Sequence, residues 1–286
     1  CHPVVANAIA EQARTLVHVS NLFYTVPQVR LAELLVQNSC LQRAYFVNSG
    51  TEANEAAVKL ARRYGKLHRN GAYETITALD SFHGRSLAMV AATGQKRYQE
   101  PYTPLPEGFV NVPYDDLAAI RKATTRKTCA VMLEPVEGEG GVIVPAPDYL
   151  KQVRAWCDQH NLLLILDEVQ TGVGRTGALF AYQRMGTEPD IMTLAKGLGG
   201  GFPIGAVLAK ERAAVFQPGD HGSTFGGNPL ATATAYAVVR YIIEERIPDR
   251  VRDLGEHLLK GLRRLKAKHR NVTDARGMGL LTAIEF

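Results

Sequence analysis

The feature that most constrains this fold is a set of short, wholly apolar runs. The clearest is residues 162–166, five aliphatic residues directly followed by Asp167. Such a run has no polar face, so a strand built from it must be covered by other layers on both sides. These runs alternate along the chain with segments of helical periodicity. The alternation predicts an α/β fold with a mostly parallel sheet flanked by helices.

The periodicity places the individual elements. Helices are predicted over residues 4–17, 27–37, 51–67, 148–160, 228–245 and 249–269. Strands are predicted over residues 43–47, 74–79, 128–134, 162–167, 190–194, 204–209 and 280–286, the last entered through a turn at 276–279. Pro248 marks the predicted boundary between a large domain, 1–247, and the start of a small C-terminal α/β domain, 248–286. We expect a core fragment, because the chain opens without Met and stops inside an apolar run.

Composition excludes several classes of protein. Hydrophobic residues make up 46% of the chain, but no aliphatic stretch approaches the roughly 20 residues of a membrane helix. The 33 Lys and Arg exceed the 28 Asp and Glu by 5 and are spread along the chain, so we expect no nucleic-acid partner. The four cysteines lack CxxC spacing, and no zinc pattern or signal peptide is visible. We therefore expect no metal, no membrane span and a cytoplasmic location.

A first polar segment, NSGTEAN at residues 48–54, lies between the strand predicted at 43–47 and the next helix. Free backbone N–H groups at a helix N-terminus suit a phosphate, and a glycine there permits close approach. The alternative is an ordinary helix cap made by Ser49 or Thr51.

A second signal is Asp167 itself. A carboxylate at the edge of a dry core is costly unless a cation or a hydrogen-bond donor meets it. A protonated pyridine nitrogen would be such a partner. The alternatives are a helix cap, or a metal carboxylate as in nucleotide hydrolases, although no GxxxxGK[ST] loop is present.

A third signal is Lys196, which follows an apolar strand and precedes a glycine-rich loop, residues 197–201. A partly desolvated lysine has a lowered pKa, and its neutral amine is available for Schiff-base chemistry. The alternatives are a lysine that extends into solvent and a flexible glycine linker.

Taken together, the motifs resemble one family. The strings SGTEANE, FHGR, EPVEGEGG, DEVQTGVGRTG, AKGLGGGFPIGA and STFGGNP occur in this order, and Asp167 lies 29 residues before Lys196. They resemble the class-III aminotransferases, which are pyridoxal-phosphate enzymes of fold type I, over the whole chain. The segment SNLFYT at residues 20–25, followed by Pro27 and Gln28, narrows the resemblance to members that act on acetylornithine or succinylornithine.

The resemblance implies which residues hold pyridoxal 5′-phosphate. Lys196 would form an imine with the cofactor aldehyde, and Asp167 would keep the pyridine nitrogen protonated. The phosphate would bind Gly50 and Thr51 at the helix N-terminus. Further contacts would come from Phe82 on the ring face (otherwise a core phenylalanine), Gln170 near the phenolic oxygen, Glu168, Val169, and Thr224 reaching the partner subunit of a homodimer.

Substrate contacts are implied in the same way. Arg85 would bind the substrate α-carboxylate through its guanidinium fork, the alternative being a helix-surface cation. Ser223 would accompany Thr224 across the dimer. Glu139 resembles a gate glutamate whose arginine partner would lie beyond Phe286.

The function implied is transfer of the distal amine of N-acetylornithine to 2-oxoglutarate, within arginine biosynthesis. Lys196 would move the proton between substrate carbon and cofactor carbon. Alternatives are another ω-aminotransferase, acting on succinylornithine, ornithine or 4-aminobutyrate, and a non-catalytic dimeric relative.

Overall fold

A seven-stranded sheet forms the centre of the computed structural model, which describes residues 1–286. The strands are β1 (Arg43–Val47), β2 (Glu74–Ala78), β3 (Phe109–Val112), β4 (Thr128–Leu133), β5 (Leu163–Asp167), β6 (Ile191–Leu194) and β7 (Gly205–Ala209). Their order across the sheet is β1-β7-β6-β5-β4-β2-β3. Only β7 is reversed, because it pairs antiparallel with both β1 and β6 while the other neighbours pair in parallel. The mostly parallel sheet predicted from the sequence is confirmed.

Helices cover both faces of this sheet. They are α1 (Pro3–Thr15), α2 (Val26–Gln37), α3 (Gly50–His68), α4 (Leu87–Ala92), α5 (Lys96–Gln99), α6 (Leu117–Ala123), α7 (Tyr149–Gln159), α8 (Ala181–Met185), α9 (Pro229–Glu244) and α10 (Ile247–Lys268). Successive residues of β5 serve the two faces in turn. Leu164 and Leu166 pack in the core with α2, α7 and α9, whereas Leu163 and Ile165 pack in the core with α3. No helix combines the length and apolar character that crossing a membrane requires.

The observed elements agree with the predicted ones to within two residues at most ends. The elements that were not predicted, β3, α4, α5, α6 and α8, have four to seven residues each. Such short segments show too little periodicity to be recognised.

The turn predicted at residues 276–279 was wrong in its position. A strand, β8 (Asp274–Met278), occupies most of this segment and pairs antiparallel with β9 (Leu281–Glu285). Gly277 lies within β8 with a φ of +146°, and this glycine suggested a turn. The reversal falls at Gly279 and Leu280 instead.

The last elements contact the main sheet domain through this reversal. The amide of Leu280 donates to the carbonyl of Arg175 at 3.0 Å. Gly279 lies so close to Gly255 of α10 that a side chain at Gly255 would overlap its backbone. α9 ends and α10 begins on either side of residues 245–246, next to the predicted domain boundary. The division into 1–247 and 248–286 stays a prediction.

A buried ion pair holds the amino end of β6. Asp190 is 2% exposed, and its carboxylate binds Arg154 of α7 at 2.8 Å and Arg212 at 2.7 Å, and also accepts from the amide of Leu164. Burial opposes ionisation, but the arginines prevail and lower the pKa of this carboxyl. Because the folded-state pKa is below the unfolded value of about 3.9, this stabilisation is complete above that pH and is lost as pH falls through the folded-state pKa.

We predict that Asp190→Asn lowers the free energy of unfolding by about 3 kcal/mol at neutral pH, because two guanidinium groups lose their counter-charge. The measurement is urea denaturation. The matched control is Glu211→Gln, which breaks the pair between Arg43 and Glu211, both 65% exposed, and should change the free energy of unfolding far less. Equal losses in the two variants would contradict a special role for the buried pair.

Candidate active site

A cavity of about 250 Å³ lies beyond the carboxyl ends of the parallel strands. This is where an open parallel sheet places its ligands. The structure brings eight of the predicted site residues together around it: Gly50, Thr51, Phe82, Arg85, Asp167, Val169, Gln170 and Lys196.

One end of the cavity is the N-terminus of α3. Ser49 is the helix cap, and its Oγ accepts from the amide of Glu52 at 3.2 Å. Thr51 does not cap the helix, because its Oγ1 accepts from the amide of Arg85 at 2.8 Å. The backbone N–H groups of Gly50 and Thr51 have no acceptor in the chain. The helix is therefore capped and still presents two free donors to an anion.

Gly50 is also required by packing. A Cβ at this position would lie 3.0 Å from Cγ1 of Val169 and 3.5 Å from Cβ of Ala195. The start of α3 therefore packs directly on the segments that follow β5 and β6.

The buried side of the cavity is formed by Asp167, which is 2% exposed. Its Oδ2 accepts from Asn54 Nδ2 at 2.7 Å and from His83 Nδ1 at 2.8 Å. Its Oδ1 accepts from the amide of Val169 at 3.0 Å. Only donors face the carboxylate, which is the environment that an ionised acid requires. No cluster of acidic, histidine or cysteine side chains suited to a metal accompanies it.

Glu134 also lines the cavity, and the sequence analysis missed it. Its carboxylate accepts from the amides of Phe82 at 2.9 Å and Gly138 at 3.2 Å. Burial raises the pKa of Glu134 to about 7, a shift that His83 opposes. A signal was available, because Glu134 directly follows the apolar strand β4 as Asp167 ends β5.

Asn54 and His83 were missed as well, although both lie within motifs that carried the family resemblance. Their partners are distant in sequence, so no local pattern marks them.

Lys196 follows β6 and opens a short 3-10 turn, Lys196–Gly199, so the glycines after it are not a flexible linker. Its side chain is exposed to solvent through the cavity, yet the surrounding protein desolvates the amine and lowers its pKa, an effect that Asp167 and Glu134 oppose. Its φ is +44°, a left-handed conformation that costs a non-glycine residue about 1–3 kcal/mol. Strain of this kind is typical of functional positions.

Arg85 lies exposed at the mouth of the cavity. Its guanidinium carbon is 4.0 Å from the ring centroid of Tyr98 and 5.3 Å from that of Phe82. It makes no ion pair within the chain, so its fork is open to a carboxylate.

Gln170 also lines the cavity. Its amide packs against Gly138 so closely that a side chain at position 138 would overlap it.

Glu139 lies at the rim, outside the lining of the cavity. Although burial opposes it, hydrogen bonds from Tyr98 and Gln95 lower the pKa of this carboxyl, assisted by Arg97 and Arg85. In this structure, Glu139 is therefore paired with Gln95, Arg97 and Tyr98.

Glu168 lies outside the cavity lining, and its predicted cofactor contact stays a prediction. The side chain is fully buried away from the cavity and accepts from the amides of Ala181 at 2.6 Å and Tyr182 at 2.8 Å, at the start of α8. Burial raises its pKa to about 7. The carboxylate stabilises α8, because one step along the chain from Asp167 reverses the direction of the side chain.

Ser223 and Thr224 also lie outside this cavity. Ser223 Oγ accepts from the amide of Gly226 at 2.9 Å and from Asn48 Nδ2 at 3.2 Å. Ser223 lines a second cavity of about 540 Å³ together with residues 21–24, whereas Thr224 is exposed. Their predicted contacts across a dimer stay predictions.

Curated relatives resemble the chain over its full length. It is 54% identical over 286 residues to acetylornithine aminotransferase of Methanothermobacter thermautotrophicus. The aligned region covers 100% of this chain and 72% of the relative. It is 50% identical to acetylornithine aminotransferase of Caldanaerobacter subterraneus, covering 100% of this chain and 73% of the relative.

Solved structures share the architecture. Ornithine aminotransferase of Toxoplasma gondii superposes with a TM-score of 0.95 at 35% identity, covering 99% of this chain and 69% of that one. An ω-transaminase of Thermomicrobium roseum superposes with a TM-score of 0.94 at 30% identity, covering 99% and 70%. The fold is that of fold type I pyridoxal-phosphate enzymes. The aminotransferase class-III profile matches residues 1–286, and the chain belongs to the class-III aminotransferase family.

Proposed function

We propose that the chain transfers the distal amino group of N-acetyl-L-ornithine to 2-oxoglutarate, giving N-acetylglutamate 5-semialdehyde and glutamate. The observation that carries this is the shared cavity of Lys196, Asp167 and the free amides of α3. Relatives at about 50% identity named for acetylornithine support the donor. The same names support a role in arginine biosynthesis, and four unpaired cysteines favour the cytoplasm.

The cavity fits pyridoxal 5′-phosphate by the chemistry of its groups. The unpaired N–H groups of Gly50 and Thr51 suit the phosphate. The Asp167 carboxylate, surrounded by donors, suits a protonated ring nitrogen, and the Lys196 amine suits the aldehyde. Phe82 offers an aromatic face.

When bound, pyridoxal phosphate supplies an aldehyde that takes up the substrate amine and a ring that withdraws electrons from the carbon to be deprotonated. With the cofactor bound, Lys196 would act as the base and acid that moves a proton between the substrate carbon and the cofactor carbon. Its lowered pKa increases the neutral fraction needed for this role. Asp167 would hold the ring nitrogen by a hydrogen bond, and Gln170, which lines the same cavity, would serve the phenolic oxygen.

Arg85 gives the site its choice of substrate. An unpaired guanidinium at the mouth, held against Tyr98 and Phe82, matches a carboxylate remote from the reacting amine. Binding the α-carboxylate there directs the distal amine toward Lys196. Glu139, close enough to Arg85 to interact with it, limits how strongly the mouth attracts a second anion.

The same proposal includes a homodimer that completes the site with Ser223 and Thr224. The support is an exposed apolar surface beside these residues: Leu22, Phe23 and Tyr24 are 88%, 62% and 94% exposed. A contiguous exposed apolar surface of this kind is typical of a protein–protein interface.

We predict that borohydride reduction in the presence of pyridoxal phosphate attaches the cofactor to Lys196, because its neutral amine faces the cavity. Peptide mapping by mass spectrometry identifies the site. Lys59 and Lys210, which hydrogen-bond to His221 and Glu188, provide internal controls and should remain unmodified. An adduct mainly on another lysine contradicts the assignment.

The substrate is tested by a screen of amine donors with 2-oxoglutarate, including acetylornithine, succinylornithine, ornithine and 4-aminobutyrate. We expect the highest kcat/KM with N-acetylornithine. A bound cofactor spectrum with no turnover of any donor would support the non-catalytic relative instead.

We predict that Arg85→Ala lowers kcat/KM for N-acetylornithine, a loss of roughly 2–5 kcal/mol of transition-state stabilisation, because the substrate carboxylate loses its guanidinium partner. Cofactor affinity should remain unchanged. The control is an amine donor without a carboxylate, whose kcat/KM should hardly change. If both donors lose the same factor, Arg85 is not the carboxylate site.

A further prediction concerns the dimer. Thr224→Glu would place a carboxylate against the phosphate of the partner's site, so a dimer of this variant should be inactive. A dimer of Lys196→Ala should also be inactive, because it lacks the amine. In a random mixture, hybrid dimers pair an intact Lys196 with the partner subunit's Thr224, which restores about one quarter of the sites. Activity of the mixture measures this. No recovery would show that Thr224 does not act across the dimer.

A further inference from the structure

We propose that Asn54 is a positioning residue that fixes the Asp167 carboxylate for the ring nitrogen of the cofactor. The inference rests on the proposed function, since it presupposes pyridoxal phosphate in the cavity. It concerns a side chain of α3 that no motif argument assigned.

Asn54 makes a complete set of buried hydrogen bonds. It is 1% exposed; its Nδ2 donates to Asp167 Oδ2 and to the carbonyl of His83, both at 2.7 Å. Its Oδ1 accepts from Thr193 Oγ1 at 2.7 Å. Both partners of Nδ2 are pure acceptors, and the hydroxyl of Thr193 can donate. Only one orientation of the amide satisfies all three, so the network locks the donor onto Asp167.

The same contacts leave Asp167 with one open acceptor position. A carboxylate has about four lone-pair positions. Asn54 and His83 occupy those of Oδ2, and the amide of Val169 occupies one of Oδ1. Thr193 Oγ1 is 3.4 Å from Oδ1, but its hydrogen points to the closer Asn54 Oδ1. The remaining position suits a single N–H donor from the cavity, which is what a protonated ring nitrogen offers.

Helix geometry connects this contact to the phosphate site. Gly50 is the first residue of α3, and Asn54 lies four residues later on the same face, about 6 Å along the axis. One rigid helix therefore carries the free amides for the phosphate and the amide that holds Asp167. We infer that α3 sets the spacing between the two anchoring points of the cofactor.

The test compares two ligands in parallel: pyridoxal phosphate, and its analogue in which a carbon replaces the ring nitrogen. The chain should bind pyridoxal phosphate more tightly, and Asn54→Ala should reduce this preference by about tenfold, because the carboxylate is no longer oriented. Dissociation constants are measured by equilibrium dialysis. A purely structural role would weaken both ligands alike and leave their ratio unchanged.

The matched control is Asn111→Ala. Asn111 is a half-buried amide with several hydrogen bonds, including one to Thr77 Oγ1 at 2.7 Å, outside the cavity lining. It should lower stability without changing the ligand ratio.

Thr193→Val is the second variant, chosen because it keeps volume and the Asn54 side chain. It leaves the buried Asn54 Oδ1 without its donor, which weakens the hold of the amide on Asp167, and we expect about a threefold loss of preference. If the parent chain prefers pyridoxal phosphate and both folded variants keep that preference, the positioning role of Asn54 is overturned and the proposed function is not. A parent chain that binds neither ligand, or binds both equally, overturns the proposed cofactor chemistry at Asp167 as well.

Discussion

The structure of the site depends on one constraint, the desolvated carboxylate of Asp167. Four buried residues of β5 lead to it, so the acid ends in a dry layer where an unpaired charge would cost several kcal/mol. That cost is offset by two donors from elements far apart in sequence, Asn54 of α3 and His83 after β2, and by the nearby amide of Val169. Each of these residues also lines the cavity. The residues that stabilise the Asp167 charge therefore also form much of the cavity wall.

The neighbouring acids show how that charge is concentrated at one position. Burial raises the pKa of Glu134 and Glu168 to about 7 and that of Glu137 to about 9. Burial therefore disfavours the charged form of all three glutamates. Glu134 accepts from two backbone amides and Glu168 from two amides and the Thr171 hydroxyl, whereas Asp167 accepts from the side chains of Asn54 and His83. A cationic ring nitrogen entering the cavity would therefore find its strongest partner at Asp167.

A residue of this site could be predicted from the sequence only where the neighbouring residues in the chain marked it. Asp167 and Lys196, which line the cavity, could be singled out because each stands at the end of a short apolar run, a pattern visible within ten residues. Glu134 follows such a strand too and was overlooked. Asn54 could not be found this way, because its contact with Asp167 spans 113 positions and depends on how α3 packs against β5. Glu168 lies outside the lining although it adjoins Asp167, because a one-residue step changes the face that a side chain occupies.

The order of the strands explains why such distant positions meet. Reversed strand β7 separates β1 from β6, so the carboxyl ends of β1, β6, β5, β4 and β2 all lie along one edge of the sheet. Each of these ends leads into a residue that lines the cavity: Gly50, Lys196, Asp167, Glu134 and Phe82. A sheet is stiff along its hydrogen-bonded ladder, so the spacing of these groups follows from strand separations of about 4.8 Å. The pair between Asp190 and its arginines holds the opposite end of β6, and the register that it stabilises is also the register that places Lys196 beside Asp167.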